Sequence, residues 1–233
     1  EEPPLTYHGE EERQVGSIND VIPSAERGTG TIPSSYVSDT QTSVKNQNPY
    51  GTCWAFSFIA ASESSIISDG MADTDLDLSE WQLAYFTNHT VTDPLGGTAG
   101  DSFAVTSNYL DAGGNQQLTA YRVATWQGLV PESEATYSTV TSASSADDAA
   151  AITLDDSLAY SKDTFHLENA YWISMEDRDY VKEKIMEYGA CASSYLSDSK
   201  YYSVSDCWNQ SEYVCTYNPD TATVDHAITI VGW

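Results

Sequence analysis

Apolar positions crowd into a few short runs of this chain, separated by long polar stretches, and the periods within those runs predict its elements. Over residues 53–68 the apolar side chains Trp54, Ala55, Phe58, Ile59, Ile66 and Ile67 fall on nearly every side of a helix, and Gly70 follows as a stop signal. A helix apolar all round belongs in the interior. Next, Ser79 and Gln82 form a capping box with a hydrophobic staple from Leu78 to Leu83, so a second helix bearing Trp81, Tyr85 and Phe86 starts here and packs across the first. Asn115 caps a third helix that runs through Gln127 and closes at Gly128, carrying Leu118, Tyr121 and Trp126. Residues 174–188 form a fourth, opened by Ser174 with Glu176 and Asp177 in its first turn and ended by Gly189. Strands are predicted over residues 165–173, 191–196 and 224–231.

The intervening stretches complete the organisation. Residues 1–31 are polar, carry Pro3, Pro4, Pro23, Gly28 and Gly30, and read as an extended arm. Residues 87–114 form a long glycine-bearing loop of the kind that is often functional in compact domains. Residues 138–152 are rich in Ser, Thr, Ala and Asp and read as a flexible surface crossing. The resulting architecture is α+β: a mainly helical lobe over 32–137, a β-rich lobe over 153–233, and a cleft between them.

Charge narrows the partners. With 35 acidic residues against 9 basic ones the formal net charge is -26, which repels polyanions over most of the surface and excludes nucleic acid and anionic membrane as partners. Scarce lysine with abundant Ser, Thr, Asn and Tyr suits a secreted or cell-surface protein, and equally suits a protein that is simply kept soluble. No stretch approaches the roughly 18 apolar residues of a membrane span. The chain opens Glu-Glu-Pro-Pro, without a secretory signal.

Chemistry concentrates in residues 47–57, reading Gln-Asn-Pro-Tyr-Gly-Thr-Cys-Trp-Ala-Phe-Ser. A Pro-Tyr-Gly turn delivers Thr52, a helix N-cap residue type, directly before Cys53. The unpaired N–H groups and positive dipole end of a helix stabilise a thiolate there, which makes the sulfur a nucleophile. The alternative for a lone cysteine is a small buried side chain. Two further features favour the nucleophile. Gln47 has an amide able to reach an oxyanion formed beside the Cys53 N–H. His226 sits on an alternating apolar strand that gives its ring a fixed face to point from.

At these residues the chain resembles the papain-like cysteine peptidases, most nearly their bacterial and archaeal secreted or surface branch. The likeness runs through Gln47, the segment Gly51-Thr52-Cys53-Trp54-Ala55-Phe56-Ser57, Asp77-Leu78-Ser79-Glu80, the Gly113-Gly114-Asn115 turn and Val224-Asp225-His226-Ala227. It implies a two-lobe fold and a cysteine endopeptidase, with Cys53 as nucleophile, His226 as general base and acid, and Gln47 as oxyanion donor. It also implies substrate contacts at Gly113, Gly114, Trp54 and Ala227, the last bordering the pocket for the substrate residue two before the cut and suiting an apolar or aromatic side chain there. No cofactor or metal is called for. The partners are a peptide or protein substrate and a propeptide of which residues 1–31 would be a remnant, on a monomer or a nicked two-chain form.

Departures from the pattern are specific. Tyr50 stands where the family signature has a structural cysteine, so that disulfide cannot form. His226 follows Cys53 by 173 positions, beyond the roughly 130 to 150 of the family, which implies insertions. The family's orienting asparagine, in an Asn-Ser-Trp-Gly motif after the histidine, is not reached before Trp233, so the β lobe reads as incomplete at its C-terminus: either the sequence is a fragment that lacks those strands or, the reading favoured by the greasy edge that a cut after residues 227–231 would leave, they lie on a separate piece. Asp225, adjacent to His226, points to the opposite face of a strand and does not replace it. A surface binding or adhesion module on the same scaffold is therefore the competing function, and a ligase or transpeptidase using the same acyl-enzyme is a third. Of the other cysteines, Cys207 and Cys215 bracket a loop that a disulfide could close, and Cys191 reads as a buried thiol. The sites Asn88-His-Thr90 and Asn209-Gln-Ser211 have the form of glycosylation sequons, and His166 reads as structural or exposed.

Overall fold

The computed structural model describes residues 30–92, 108–160, 162, 164–195, 208–209, 214–215 and 224–233. The N-terminal arm, apart from its last two residues, lies outside them, as do Cys207, most of the loop after residue 92 and the third residue of the second sequon.

Helix α1 spans Cys53–Ser68, and Gly70 follows it at φ 71°. Its Trp54, Ala55, Ile59 and Ile66 are buried, as an all-round apolar helix requires. Helix α2, Glu80–Asn88, is capped by Ser79, whose hydroxyl accepts from the Gln82 N–H at 3.0 Å. Only that half of the capping box forms: the Gln82 amide instead donates to the carbonyls of Gly128 and Leu158, at 3.0 and 2.9 Å. The α2 residues from Glu80 to Asn88 are all buried.

Helix α3 spans Gln116–Ala124, three residues shorter than predicted, because Trp126 takes a left-handed φ of 73° and breaks the helical path before the buried Gln127. Asn115 caps it, accepting from Leu118 N–H at 2.8 Å. A 3-10 turn at Glu132–Glu134 leads into α4, Tyr137–Thr141, and α5, Ala146–Ala150. The stretch predicted as a flexible crossing is thus helical, anchored by buried Tyr137, Val140 and Ala149. Helix α6 is Ser157–Tyr160.

The strand predicted over residues 165–173 does not form. Phe165 makes one isolated bridge to Leu129, and the residues after it are mostly exposed, with too little apolar alternation to seat a strand. Helix α7 is Arg178–Tyr188, starting later than predicted because Ser174 opens a separate turn, with Asp177 N–H bonded to the Ser174 carbonyl, and Asp177 itself then caps Tyr180. Strands β1, Cys191–Tyr195, and β4, His226–Ile230, form an antiparallel pair in the register Cys191↔Ile230 to Tyr195↔His226. A second two-stranded pair joins β2, Trp208–Asn209, to β3, Val214–Cys215.

One face of the β1–β4 pair packs on α1. The chain near residue 37 closes the far end of β4, where Val37 bridges Gly232 and Tyr36 and Trp233 exchange both backbone bonds at 2.8 Å. Among the described residues no helix is long and apolar enough to cross a membrane.

Two helix-terminating glycines separate backbone strain from crowding. Gly70 and Gly189 both have positive φ, but a Cβ at Gly70 meets nothing within 4 Å, whereas one at Gly189 lies 2.0 Å from Thr40 Oγ1 and 3.2 Å from the Ser64 backbone. Gly70→Ala is expected to cost about 1 kcal/mol. Gly189→Ala is expected to cost at least twice that, read as the larger fall in Tm; equal shifts would mean that Thr40 gives way freely.

Candidate active site

The N-terminal end of α1 is assembled from four separate stretches of chain. Cys53 is its first residue and half-buried. Thr52, predicted as the side-chain cap, is not one: at φ -98°, ψ 18° its hydroxyl makes no bond to the helix and lies 2.7 Å from the Tyr137 hydroxyl. Its carbonyl takes the N–H groups of Ala55 and Phe56, at 2.9 and 3.2 Å.

Gln47 lies in the turn just before. Its amide Nε2 donates to the Tyr50 carbonyl at 3.0 Å, and its own carbonyl accepts from Tyr50 N–H at 3.2 Å and from the Tyr137 hydroxyl at 2.7 Å. A primary amide has two N–H donors, so one is left for another acceptor. Tyr50 is buried, and its hydroxyl donates to the Val140 carbonyl at 3.1 Å, which ties this loop to α4 by packing and a hydrogen bond.

The glycine turn forms one wall. Gly113 has φ 75°, and a Cβ on Gly114 would lie 2.5 Å from Trp54 Cδ2, so the Gly114 backbone rests on the Trp54 ring. Trp54 itself is fully buried. It therefore backs this wall from behind. Asp111, just before the turn, accepts from Gly51 N–H at 3.0 Å and holds the turn against the loop that leads to Cys53.

His226 enters from the sheet. The Ser57 hydroxyl donates to the Ile228 carbonyl at 2.5 Å and the Thr229 hydroxyl to the Ser57 carbonyl at 3.1 Å. Ser57 lies one turn along α1 from Cys53, about 6 Å, and Ile228 two residues along β4 from His226, about 6.6 Å. Farther along, Ser38 N–H donates to the Val231 carbonyl at 2.8 Å and the Thr40 carbonyl accepts from the Ser64 hydroxyl at 3.3 Å, so α1 and β4 run the same way and Cys53 and His226 lie toward the same end of the packed helix and strand. His226 is half-buried with its ring centroid 5.7 Å from that of Tyr195, and Ala227 is buried against the core. Asp225 is exposed and its N–H donates to the Tyr195 carbonyl at 3.2 Å.

Gln116, two residues after the glycine turn, reaches β1. Its amide nitrogen donates to the Ser193 carbonyl at 2.9 Å and its oxygen accepts from the Ser194 hydroxyl at 3.1 Å, which links the glycine wall to the strand paired with His226.

Other candidates lie elsewhere. His166 is exposed and stacks on Trp126 at 4.4 Å. His89 stacks on Tyr85 at 3.9 Å and lines a polar cavity of about 290 Å³ with Asn88, Asn108, Tyr109 and Asp147, which includes neither Cys53 nor His226. Asn88 of the first sequon is buried, its amide bonded to the Ala84 carbonyl, and is not presented as a glycan acceptor. Cys191 is a free thiol whose pKa burial pushes up.

A buried ion cluster supports the back of α1, and only part of it had a signal in the sequence. Lys45 Nζ lies 2.8 Å from Glu63, 2.7 Å from Asp77 and 3.0 Å from Glu80. Burial alone would lower the Lys45 pKa, but Glu80 and Glu63 overcome that and raise it. Burial pushes Glu80 up to about 7 against the pull of Lys45, and pushes Glu132 up to about 7 as well. Glu63, the one charged residue of a helix that carries no other charge, was the signal for this cluster; Tyr137 and Gln116 had none.

Comparison with known proteins follows this geometry. The model of the papain family of cysteine proteases matches residues 34–233. No curated protein matches. Among solved structures the chain is similar to the clostridial cysteine protease Cwp84 after propeptide cleavage, with a TM-score of 0.62 and 23% identity over 83% of this chain and 41% of that one. It is similar to the cysteine protease and lectin-like domains of Cwp84, a surface-layer-associated protein of Clostridium difficile, with a TM-score of 0.63 and 19% identity over 98% and 48% of the two chains. A digestive procathepsin L2 proteinase from the larval midgut of Tenebrio molitor gives a TM-score of 0.60 and 22% identity over 88% and 55%. At these identities the solved structures speak to the fold, and this chain spans less than half the length of either clostridial one.

Proposed function

The chain belongs to the papain family of cysteine proteases, and on that premise we propose that it hydrolyses peptide bonds through an acyl-enzyme on Cys53. The observation that supports this is the pair of bonds between Ser57 and residues Ile228 and Thr229, which packs the helix that begins at Cys53 on the strand that begins at His226. The thiolate attacks the peptide carbonyl carbon, and the resulting oxyanion is held by the Cys53 N–H and the second N–H of Gln47. His226, as imidazolium, protonates the leaving amine. It then takes a proton from water, whose oxygen attacks the thioester and releases the acid and the thiol.

Gly113 and Gly114 expose backbone for pairing with an extended substrate, since only a residue without Cβ lets another chain approach so closely. Ala227 borders the adjoining pocket. The helical lobe over 32–137 and the β-rich lobe over 153–233 supply the two walls. Residues 1–31 are assigned as a propeptide remnant, supported by the similarity to a procathepsin and to a protease described after propeptide cleavage. A secreted or surface location is supported by the surface-layer association of Cwp84.

The test is labelling with a peptidyl epoxide at neutral pH. Hydrolysis of a peptide substrate is expected to fall in proportion to one modification, located at Cys53, at a rate at least about 100-fold above that of a free thiol. A rate equal to that of a free thiol, with no hydrolysis to lose, would favour a binding or adhesion module on this scaffold. Transfer of the acyl group to an added peptide amine in preference to water would favour a ligase.

A further inference from the structure

Tyr137 lies 84 positions beyond Cys53 in the sequence, yet its phenol touches both segments that lead into the nucleophile. We propose that Tyr137 is a positioning residue of the acyl-transfer site, holding Gln47 and the start of α1 in the arrangement that receives an oxyanion. This rests on the peptidase function proposed above and adds to it a residue that acts through Gln47.

The proton inventory carries the inference. The Gln47 carbonyl has no proton, so the phenol must donate to it across the 2.7 Å contact. The Thr52 hydroxyl, 2.7 Å from the same oxygen, must then donate to the phenol. Two consequences follow. First, the Gln47 carbonyl accepts from both Tyr50 N–H and Tyr137, which fixes the backbone from which the Gln47 amide projects. Second, the Thr52 hydroxyl is drawn to the phenol and makes no bond to the helix, which tethers the residue immediately before Cys53, and with it the start of α1, to Tyr137.

Tyr137 is well placed to hold this geometry. It is buried, its ring meets Phe56 edge-on at 4.9 Å, and its own N–H donates to Glu132 Oε1 at 2.6 Å. Burial pushes the phenol up to about 12, so it keeps the proton it donates.

Tyr137→Phe removes the phenol and keeps the ring. Two inhibitors separate positioning from folding: a peptidyl aldehyde forms a tetrahedral adduct on Cys53 whose oxygen needs the oxyanion donors, whereas a peptidyl epoxide alkylates the same sulfur without one. Removing an oxyanion donor outright costs about 10²- to 10³-fold, and a residue acting through the donor should cost less. The expected result is a fall in kcat of about 10-fold with KM within twofold, a matching loss of aldehyde affinity, and an epoxide rate within twofold of wild type. In a Gln47→Ala background the same substitution should cost less than threefold. Should Tyr137→Phe not fold, Thr52→Val loosens the phenol and should give the same divergence between aldehyde and epoxide at about threefold. A folded variant in which aldehyde and epoxide respond alike, or a full additional loss in the Gln47→Ala background, overturns the inference. Wild-type protein that forms no aldehyde adduct overturns the peptidase function itself and this inference with it.

Discussion

Replacing His226 by alanine is expected to lower kcat/KM for peptide hydrolysis by about 10⁴-fold or more, the scale on which removal of a catalytic base acts in acyl-transfer enzymes. The expectation rests on β4 being bonded to α1 at Ser57, which leaves His226 as the described histidine toward the same end as Cys53. His89, stacked on Tyr85, and His166, stacked on Trp126, are the natural controls, and alanine at either should leave kcat/KM within about threefold. The variant should retain its fold, because His226 is half-buried and contributes an edge-on ring contact with Tyr195 but no core packing. A loss below tenfold would remove His226 from the proton-transfer step and leave Cys53 without the partner assigned to it.

The second large effect concerns stability. Lys45 is the cation that Glu63, Asp77 and Glu80 share, and the Glu63 and Glu80 side chains are 0% and 3% exposed. Lys45→Met fills the same space but strands those carboxylates, and breaking a buried pair from one side costs about 3 kcal/mol or more. For a chain of this size that is about 6–12 °C in Tm at pH 7.5.

The pH dependence has a definite sign. Glu80 and Glu132 titrate near 7 when folded and near 4.5 when unfolded, so between those values the folded chain holds more protons. Stability is therefore fully present below about 4.5 and declines as pH rises to about 7. Wild-type Tm should be higher at pH 5 than at pH 7.5. The penalty of Lys45→Met should shrink at pH 5, where the stranded Glu80 can take a proton. A Tm that rises steadily over that interval, or a Lys45→Met penalty independent of pH, would contradict the cluster's assigned ionisation.

How much of this was legible in the sequence varies with the kind of signal. Helix α1 was legible at both ends, because a turn precedes Cys53 and Gly70 sits at positive φ, which few other residues tolerate. Ser79 and Asn115 were legible as caps because their side chains bond locally. Thr52 has the same residue type as a cap but spends its hydroxyl on Tyr137, a partner 85 positions away that no local rule anticipates. The end of α3 failed for a similar reason: the left-handed Trp126 is an aromatic where a glycine would have been the cue. The strand expected over 165–173 does not form because, beyond the single bridge from Phe165 to Leu129, no neighbouring strand among the described residues is there to bond it. Of the candidate site, Cys53, His226, Gln47 and Gly113–Gly114 carry motif chemistry that is visible in the sequence, whereas the packing of Trp54 beneath Gly114 is visible only in the fold. The replacement of the missing disulfide by Tyr50 became intelligible only once its hydroxyl was seen on Val140.

The tie between Ser57 and Ile228 spans 171 positions. As the polypeptide leaves the ribosome, Ser57 emerges long before Ile228, and every described element between them is already out when β4 arrives. Docking of β4 on α1 is thus a late event in biogenesis, and on the function proposed above Cys53 would gain His226 only once nearly the whole of the described fold has been made.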